Sequence, residues 1–533
     1  MGNQKIRSDK PPAPAPEPAH GPGVAGRRPR VRVEWLLFPA LLALTLALYG
    51  GVLNHYFTCD DFIAIQESLP SPYVRVADLL RRPGVWFFRP ITTHWFPVTT
   101  FSYALDYAVY GLHPRGYHVT NLAFHWLAAV AIFYLARRLT GRRGVAALAA
   151  LLYAAHPVHN EAVAWIGARF HSLGALFYML AIITFARYLD GPPAGRRYYW
   201  LSVLCFALGL LTLESTVTAP VMLLVYHRLY RPGDWGRASL KPTLARYLPY
   251  GLLLAGFAVL RLYLSAAQQY PQNFSLWNVG KNAVRFFSAL WAPSIPVLKF
   301  LGLFEAYPRP ELTLERPYYW AAALAALAAG LLVAWAAAGK SRAAWLGARG
   351  FQISLLWVAL TPSPFYILFY RERYAELPSI GFCILLAMVI GHLAHAPGRR
   401  SRYAVAVLVG VLFFSYVALT RDKLVVWRQA SETVRQLTDD LQSQHPAFPD
   451  GSTLYFVNLP GYLQPMRVPT FNVGIQNAVR LLYRTDRLYA QSLDSPEAFA
   501  AAAADGAGPF YLFVYENGRP VDRTHATRPG PSQ

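Results

Sequence analysis

Residues 35–66 read WLLFPALLALTLALYGGVLNHYFTCDDFIAIQ, and the way this stretch divides decides the fold. Trp35 to Leu53 carries no charge and is long enough for a helix to cross about 30 Å of hydrocarbon. No small-residue cleavage site follows, so the segment is expected to remain as an uncleaved signal-anchor. A few residues past its end stand two adjacent carboxylates, Asp60 and Asp61. Upstream, residues 1–34 (PPAPAPEPAHGPG, then GRRPRVR) are rich in Pro, Ala, Gly and basic residues. Such a composition cannot bury enough apolar surface to offset its ordering entropy, and predicts a disordered, basic, cytoplasmic tail.

The remaining chain repeats this alternation of apolar run and charged boundary. Of 533 residues, 55% are hydrophobic and 15% charged, with a mean hydropathy of +0.26, where an ordinary soluble domain carries roughly 25% charged residues. A soluble globular enzyme is excluded. The net charge of +22 would suggest a nucleic-acid binder in a soluble chain. Here the charges punctuate apolar blocks, and no nucleic-acid partner is expected. Cys59, Cys205 and Cys383 are too few and too scattered for a disulfide framework or a thiolate metal site.

Further apolar segments at 117–136, 144–158, 170–186, 198–213, 215–230, 247–264, 318–339, 351–369, 377–394 and 403–420 predict an α-helical polytopic membrane protein with about eleven transmembrane helices. With residue 1 in the cytoplasm, the tail and alternate loops (RRLTGRR, RYLDGPPAGRR, HRLYRPGDWGRASLKPTLAR, GKSRAAWLGAR, GRRSR) hold about half of the 50 basic residues, roughly twice the share of the longer opposite loops. That asymmetry places 54–116, 159–169, 265–317 and the C-terminal region outside the cytoplasm. The expected divisions are a tail (1–34), a transmembrane domain (35–420) with a first external loop at 54–116, and a small extracytoplasmic α/β domain (421–533). In the last, SETVRQLTDDLQSQ reads as a capped helix and STLYFVNLP as a strand. LDSPEAFAAAAADG reads as a second helix, and PFYLFVYENGRPV as strands around an Asn-Gly turn. No 20–50-residue repeat recurs. The Ala/Arg-rich composition suggests a bacterial inner membrane.

Four groups of residues carry chemistry. Asp60 and Asp61, side by side at a membrane surface, cost electrostatic energy when both are charged; they read either as a solvated helix-capping pair or as a general base at the boundary. The same loop is dense in Trp, Phe and Tyr, the residues of headgroup depth. Its Arg89, before Pro90, is either an interfacial arginine or a bidentate grip on a phosphate. In AAHPVHNEAVAWIGARFHS, the residues His156, His159, Glu161 and Arg169 gather where a helix meets the external face. Pro157 breaks the face that would align the His-x-x-His-x-Glu set on a metal, so hydrogen bonding or phosphate contact is expected instead. Finally, Arg371, Glu372, Arg373 and Glu376 lie between two apolar helices. They form either a self-paired ionic cluster or a cationic seat for a leaving phosphate, oriented by Glu372. Lys281, Arg285 and Lys299 could serve the same end.

In order and spacing, FRPITT, LDYAVYGLHPRGYHVTNLAFHW, HPVHNEAVAWIGAR and RERYAELPSIGFC resemble the membrane region of the transmembrane-and-tetratricopeptide O-mannosyltransferases and their bacterial relatives, which are GT-C glycosyltransferases. The resemblance covers residues 35–430. It implies a multi-helix enzyme that takes a sugar from a polyprenyl-phosphate carrier and transfers it to a glycan, lipid or protein acceptor on the external face. It implies a catalytic role for the acidic pair, matched here by Asp60 and Asp61, and matches Glu372–Arg373 to a late Glu-Arg pair. There are departures. His171 stands where the second-loop motif has an acid, Glu376 interrupts the late motif, and an α/β domain replaces the repeats. The resulting expectation is an inverting transferase. Asp60, tuned by Asp61, takes the acceptor's proton, and Arg89, Arg373 and the loop histidines steady the departing phosphate. Beyond the lipid-linked donor no cofactor is required; a divalent ion on the acidic pair is permitted but not needed. A flippase of lipid-linked sugars, or a silent scaffold, are the alternatives.

Overall fold

The computed structural model describes residues 33–58, 60–68, 81, 95–191, 195–265, 275–291, 348–366, 371–395, 399–463, 468–471, 473–495, 498–499 and 508–524. Arg89, Lys299, the apolar segment 318–339 and most of the alanine-rich run after Asp494 lie outside these residues, as does the side chain of Lys281.

The apolar runs become helices, and prolines fall where a helix tolerates them. Helix α1 (Val33–Tyr49) leads through a short 3-10 turn (Gly50–Asn54) to α2 (Asp60–Ser68), which begins on the acidic pair. Helices α3 (Pro97–Tyr110) and α4 (Pro114–Thr140) each open on proline, whose missing N–H is unneeded in a first turn. Helix α4 closes on Gly141 at φ +70°, its N–H donating to the Arg137 carbonyl at 2.9 Å, a left-handed cap that suits glycine. The alanine-rich α5 (Arg143–Ala155) packs against α4 and is followed by the turn Pro157–His159, α6 (Asn160–Ala164), a turn at Ile166–Ala168, and α7 (Phe170–Leu189). Then come α8 (Gly195–Leu210), α9 (Ala219–Tyr230), α10 (Leu248–Ser265), α11 (Leu276–Leu290) and α12 (Arg349–Leu360). Helix α13 (Glu376–Leu393) crosses α12 at Gly381, where an added Cβ would stand 2.7 Å from the Ser354 carbonyl oxygen. Small residues permit such close helix crossings.

Among the described residues, five helical stretches are long and apolar enough to cross a membrane: Glu34–Asn54, Pro114–Thr140, Ile166–Leu189, Glu372–Leu393 and Val405–Gln444. The last belongs to α14 (Arg399–Gln444), which at 1.5 Å per residue is about 69 Å long and outruns the hydrocarbon. It passes without a break from the apolar 403–420 run into SETVRQLTDDLQSQ. The sequence pattern suggests a cap at Ser431; instead Ser431 lies inside the helix and its hydroxyl accepts from the Tyr56 N–H. Tertiary packing of the polar half, through buried Val434, Leu437 and Leu441, overrides the local signal.

Beyond α14 the chain forms a four-stranded sheet in the order β4-β1-β5-β6. β1 (Thr453–Val457) runs parallel to β4 (Tyr489–Leu493) and to β5 (Phe510–Glu516), while β6 (Arg519–Asp522) returns antiparallel through Asn517-Gly518. Both turn residues have positive φ, +51° and +84°, as a two-residue type I′ hairpin requires. β2 (Tyr462–Leu463) and β3 (Val468–Pro469) make a separate small pair. Helix α15 (Ile475–Leu482) connects toward β4 and lies on α2, with Asn477 Nδ2 donating to Gln66 Oε1 at 2.8 Å. Phe57, Phe62, Ile65 and Tyr103 of the first loop share one apolar core with Leu437, Phe456, Phe471 and Val479. The C-terminal sheet and the loop that bears the acidic pair are therefore a single packed unit.

Candidate active site

The two carboxylates face different ways. Asp61 is 1% exposed. Its Oδ2 accepts from the Thr58 backbone N–H at 2.8 Å and the Thr58 hydroxyl at 3.4 Å, and its Oδ1 from the Gly167 N–H at 2.6 Å. It pins the start of α2 to the second-loop turn. Gly167 permits the approach, since a Cβ there would meet Trp165 Nε1 at 2.9 Å and Asp61 Oδ1 at 3.3 Å. Burial pushes the Asp61 carboxyl up to about 7, against the pull of the Thr58 and Gly167 donors. Asp60, one residue earlier, lines an open cleft of about 840 Å³ with Tyr103, Trp165, Phe170, Glu214, Arg373 and Tyr374.

Among the described residues that line the cleft, Arg373 is the cation. Its guanidinium lies 5.1 Å from both the Trp165 and Tyr374 rings. Glu161 Oε2 accepts from its Nη1 and from its backbone N–H, each at 3.3 Å. The orienting carboxylate is thus Glu161 and not the expected Glu372, which pairs with Lys423 of α14 in a buried contact, Lys423 also donating to the Pro157 carbonyl at 3.3 Å. Of the cleft-lining residues Arg373 and Trp165, the donors Arg373 Nε and Trp165 Nε1 are themselves buried and have no acceptor among the described residues. Orphaned donors on one wall suit an anion.

The other described residues named from the sequence do not line the cleft. Arg169 is fully buried. It pairs with Asp106 at 2.6 Å, donates to Asn121 Oδ1 at 2.8 Å and to the Tyr117 carbonyl at 3.2 Å, and sits 4.6 Å from the Tyr103 ring. It organises the first loop from beneath and does not line the cleft. His156 caps its own turn, accepting from Val158 N–H at 3.2 Å, while its Nε2 lies 3.0 Å from the Leu290 carbonyl. His159 is buried beside Tyr153, His125 and Glu376. His171 packs between Phe170 and Tyr374. Arg285 sits on α11, outside the cleft lining.

One pair escaped the sequence reading. Arg261 of α10 contacts Glu214, which lines the cleft. An open apolar groove is lined by Trp95, Trp200, Leu210, Leu211, Leu253 and Phe257; Trp95 adjoins the cleft residue Phe96 in the chain, and the Leu211 carbonyl accepts from Val98 N–H, between the cleft residues Phe96 and Thr99. The signal was available, since Arg261 interrupts the apolar run 247–264 and an ionisable group in a membrane segment is a functional candidate.

Comparison with known proteins gives the same direction. No family model matches the chain. Protein O-mannosyl-transferase Tmtc1 of Drosophila melanogaster is 30% identical over 181 residues, 33% of this chain and 21% of that protein. TMTC2 of Homo sapiens is 30% identical over 254 residues, 44% of this chain and 29% of that protein. Its sequence relatives are O-mannosyl-transferases. The chain spans less than a third of the length of these curated relatives. Among solved structures, the fold is similar to ArnT from Cupriavidus metallidurans in the apo state, with a TM-score of 0.53, 13% identity, and coverage of 93% of this chain and 99% of ArnT. It is also similar to the oligosaccharyltransferase AglB from Archaeoglobus fulgidus, solved with an inhibitory peptide and a dolichol-phosphate, with a TM-score of 0.51, 12% identity, and coverage of 90% and 69%.

Proposed function

We propose that the chain is a membrane glycosyltransferase that transfers a sugar from a polyprenyl-phosphate carrier to an acceptor hydroxyl, with inversion. One observation carries this reading: Asp60, Arg373 and Trp165 line the same cleft, Arg373 Nε and Trp165 Nε1 are buried donors without an acceptor among the described residues, and an apolar groove fit for an isoprenoid chain lies nearby. Asp60 accepts the acceptor's proton as that oxygen bonds to the anomeric carbon. The bond from that carbon to the phosphate oxygen breaks, and the carrier phosphate leaves with the electron pair, stabilised by Arg373 Nε–H and Trp165 Nε1–H. Glu161 holds Arg373 in place, Asp61 fixes the turn that carries Asp60, and the Arg261–Glu214 pair marks where groove and cleft adjoin. Arg169, His156 and His159 support the surrounding fold and do not line the cleft. Arg89 belongs to the same loop and is assigned to the phosphate on sequence alone.

The relatives' names supply the reaction class, and AglB's dolichol-phosphate complex the ligand chemistry. We assign the cleft to the extracytoplasmic side of a bacterial inner membrane, with the N-terminus cytoplasmic and about eleven spans, on the Lys/Arg asymmetry of the loops. The acceptor is a glycan, lipid or protein hydroxyl. A flippase commonly places its site at the midplane between repeats, whereas the ionisable groups here gather in one cleft beside the sheet domain.

The test uses purified full-length chain with radiolabelled polyprenyl-phosphate mannose or aminoarabinose. Release of the polyprenyl phosphate, by transfer or slow hydrolysis, is the expected result. Carrier that stays intact with every donor offered, or that crosses a liposome bilayer intact, would overturn the assignment.

A further inference from the structure

Outside the cleft lining, α4, the second-loop turn and the first turn of α13 meet, and three acceptor atoms face one another there. His125 Nε2 lies 3.2 Å from the Ala154 carbonyl oxygen. A carbonyl can only accept, so this nitrogen holds the ring proton and Nδ1 is a bare lone pair. His159 Nε2 lies 3.5 Å from Ser379 Oγ, whose own hydrogen goes to the Glu376 carbonyl at 2.6 Å. The hydroxyl is therefore an acceptor for His159 as well, which again leaves Nδ1 bare. Glu376 Oε1 accepts from Ser172 at 2.7 Å and Tyr153 at 3.2 Å. The three remaining atoms, His125 Nδ1, His159 Nδ1 and Glu376 Oε2, are buried and have no partner among the described residues. The three side chains belong to residues that are 0% exposed, and one ligand atom from each lies within 4.8 Å of the others.

Two lone pairs and a carboxylate oxygen, converging in a dry interior without a donor, repel one another and cost free energy unless something positive sits between them. We propose that His125, His159 and Glu376 bind a divalent transition-metal ion of the zinc class. Two imidazoles and a carboxylate are a donor set that zinc takes. Each ring's second nitrogen is already fixed by a carbonyl or hydroxyl oxygen, the outer arrangement that orients metal-bound histidines. His159 Nδ1 and Glu376 Oε1 are 3.9 Å apart, and ligand atoms of all three residues lie within 4.8 Å of one another, while tetrahedral ligands at zinc distances stand roughly 3.4 Å apart, so side-chain shifts of up to about 1.4 Å close the site. None of the three residues lines the cleft. The ion acts as a staple: Glu376 lies three residues past Arg373 and His159 two before Glu161, so binding both fixes the Arg373–Glu161 pair. The His-x-x-His-x-Glu run supplies one ligand only, because His156 and Glu161 bond elsewhere.

The proposal is independent of the transferase reading, and its readout is metal content. Full-length protein purified in detergent, before and after dialysis against Zn²⁺, is expected to hold about one equivalent per chain. Glu376→Gln, and separately His125→Asn, should reduce that below about a tenth of an equivalent, whereas Asp60→Asn should retain it. Co²⁺ exchanged into wild type should show tetrahedral d–d absorption. X-ray absorption at the zinc edge should report two imidazoles and a carboxylate oxygen, and this decides the matter even where a variant does not fold. Wild type that neither carries nor takes up metal overturns the proposal, leaving a shared proton between the acceptors. A metal shell without two imidazoles, or undiminished content in both variants, overturns it as well.

Discussion

At the scale of single residues, the neighbouring aspartates differ in where they sit. Asp61 is ringed by three donors and Asp60 opens into the cleft. Asp61→Asn replaces one acceptor oxygen with an amide N–H₂ that must face the N–H of either Thr58 or Gly167. The loss should be about 2 kcal/mol of stability, read as a lower melting temperature. Asp61 also predicts a pH dependence. Its folded value of about 7 lies above the ordinary 3.8, so the folded state holds a proton that the unfolded state has released. Stability from this group is full at low pH and is lost as pH rises from about 4 to about 7. The wild-type melting temperature should fall over that window more than that of Asp61→Asn; parallel curves would show that Asp61 stays ionised throughout. The sequence placed both carboxylates together at a membrane boundary, but adjacent residues in a first turn point to different neighbours, and some of these, such as Gly167 beside Asp61 and Arg373 across the cleft from Asp60, are far away in the chain.

At the scale of elements, α2 is held between the membrane helices and the C-terminal sheet. Phe62 of α2 stacks on Phe471 with centroids 6.3 Å apart, and Phe471 is 4% exposed. Phe471→Ala should cost about 3–5 kcal/mol and, by loosening α2, lower kcat for sugar transfer more than it raises KM. An unchanged kcat in a folded variant would mean that the sheet does not position Asp60. The strands and the Asn-Gly hairpin were legible from β-branched and aromatic runs around a turn pair, because those signals are local. The continuity of α14 was not, since a Ser with downstream acidic residues imitates a cap, and only long-range packing makes it helix interior. The change of partner from Glu372 to Glu161 beside Arg373 was likewise invisible, being decided by how three loops converge.

At the scale of the whole molecule, the alternation of apolar run and charged boundary yielded a polytopic helical protein, and the ordered motifs yielded its sequence relatives. The apolar groove beside the cleft was beyond reach, because its lining is drawn from α8, α10 and the approach to α3 and no single segment carries its pattern. The arrangement makes one demand above all. A lipid-linked donor lying in the groove must present its anomeric carbon to Asp60 while Arg373 and Trp165 receive the phosphate. The direct measurement is release of polyprenyl phosphate from labelled donor by purified wild type and by Asp60→Asn of equal melting temperature. The account predicts that the variant still binds donor but turns over about 10²–10⁴-fold more slowly. Near wild-type release from a folded Asp60→Asn protein would contradict it.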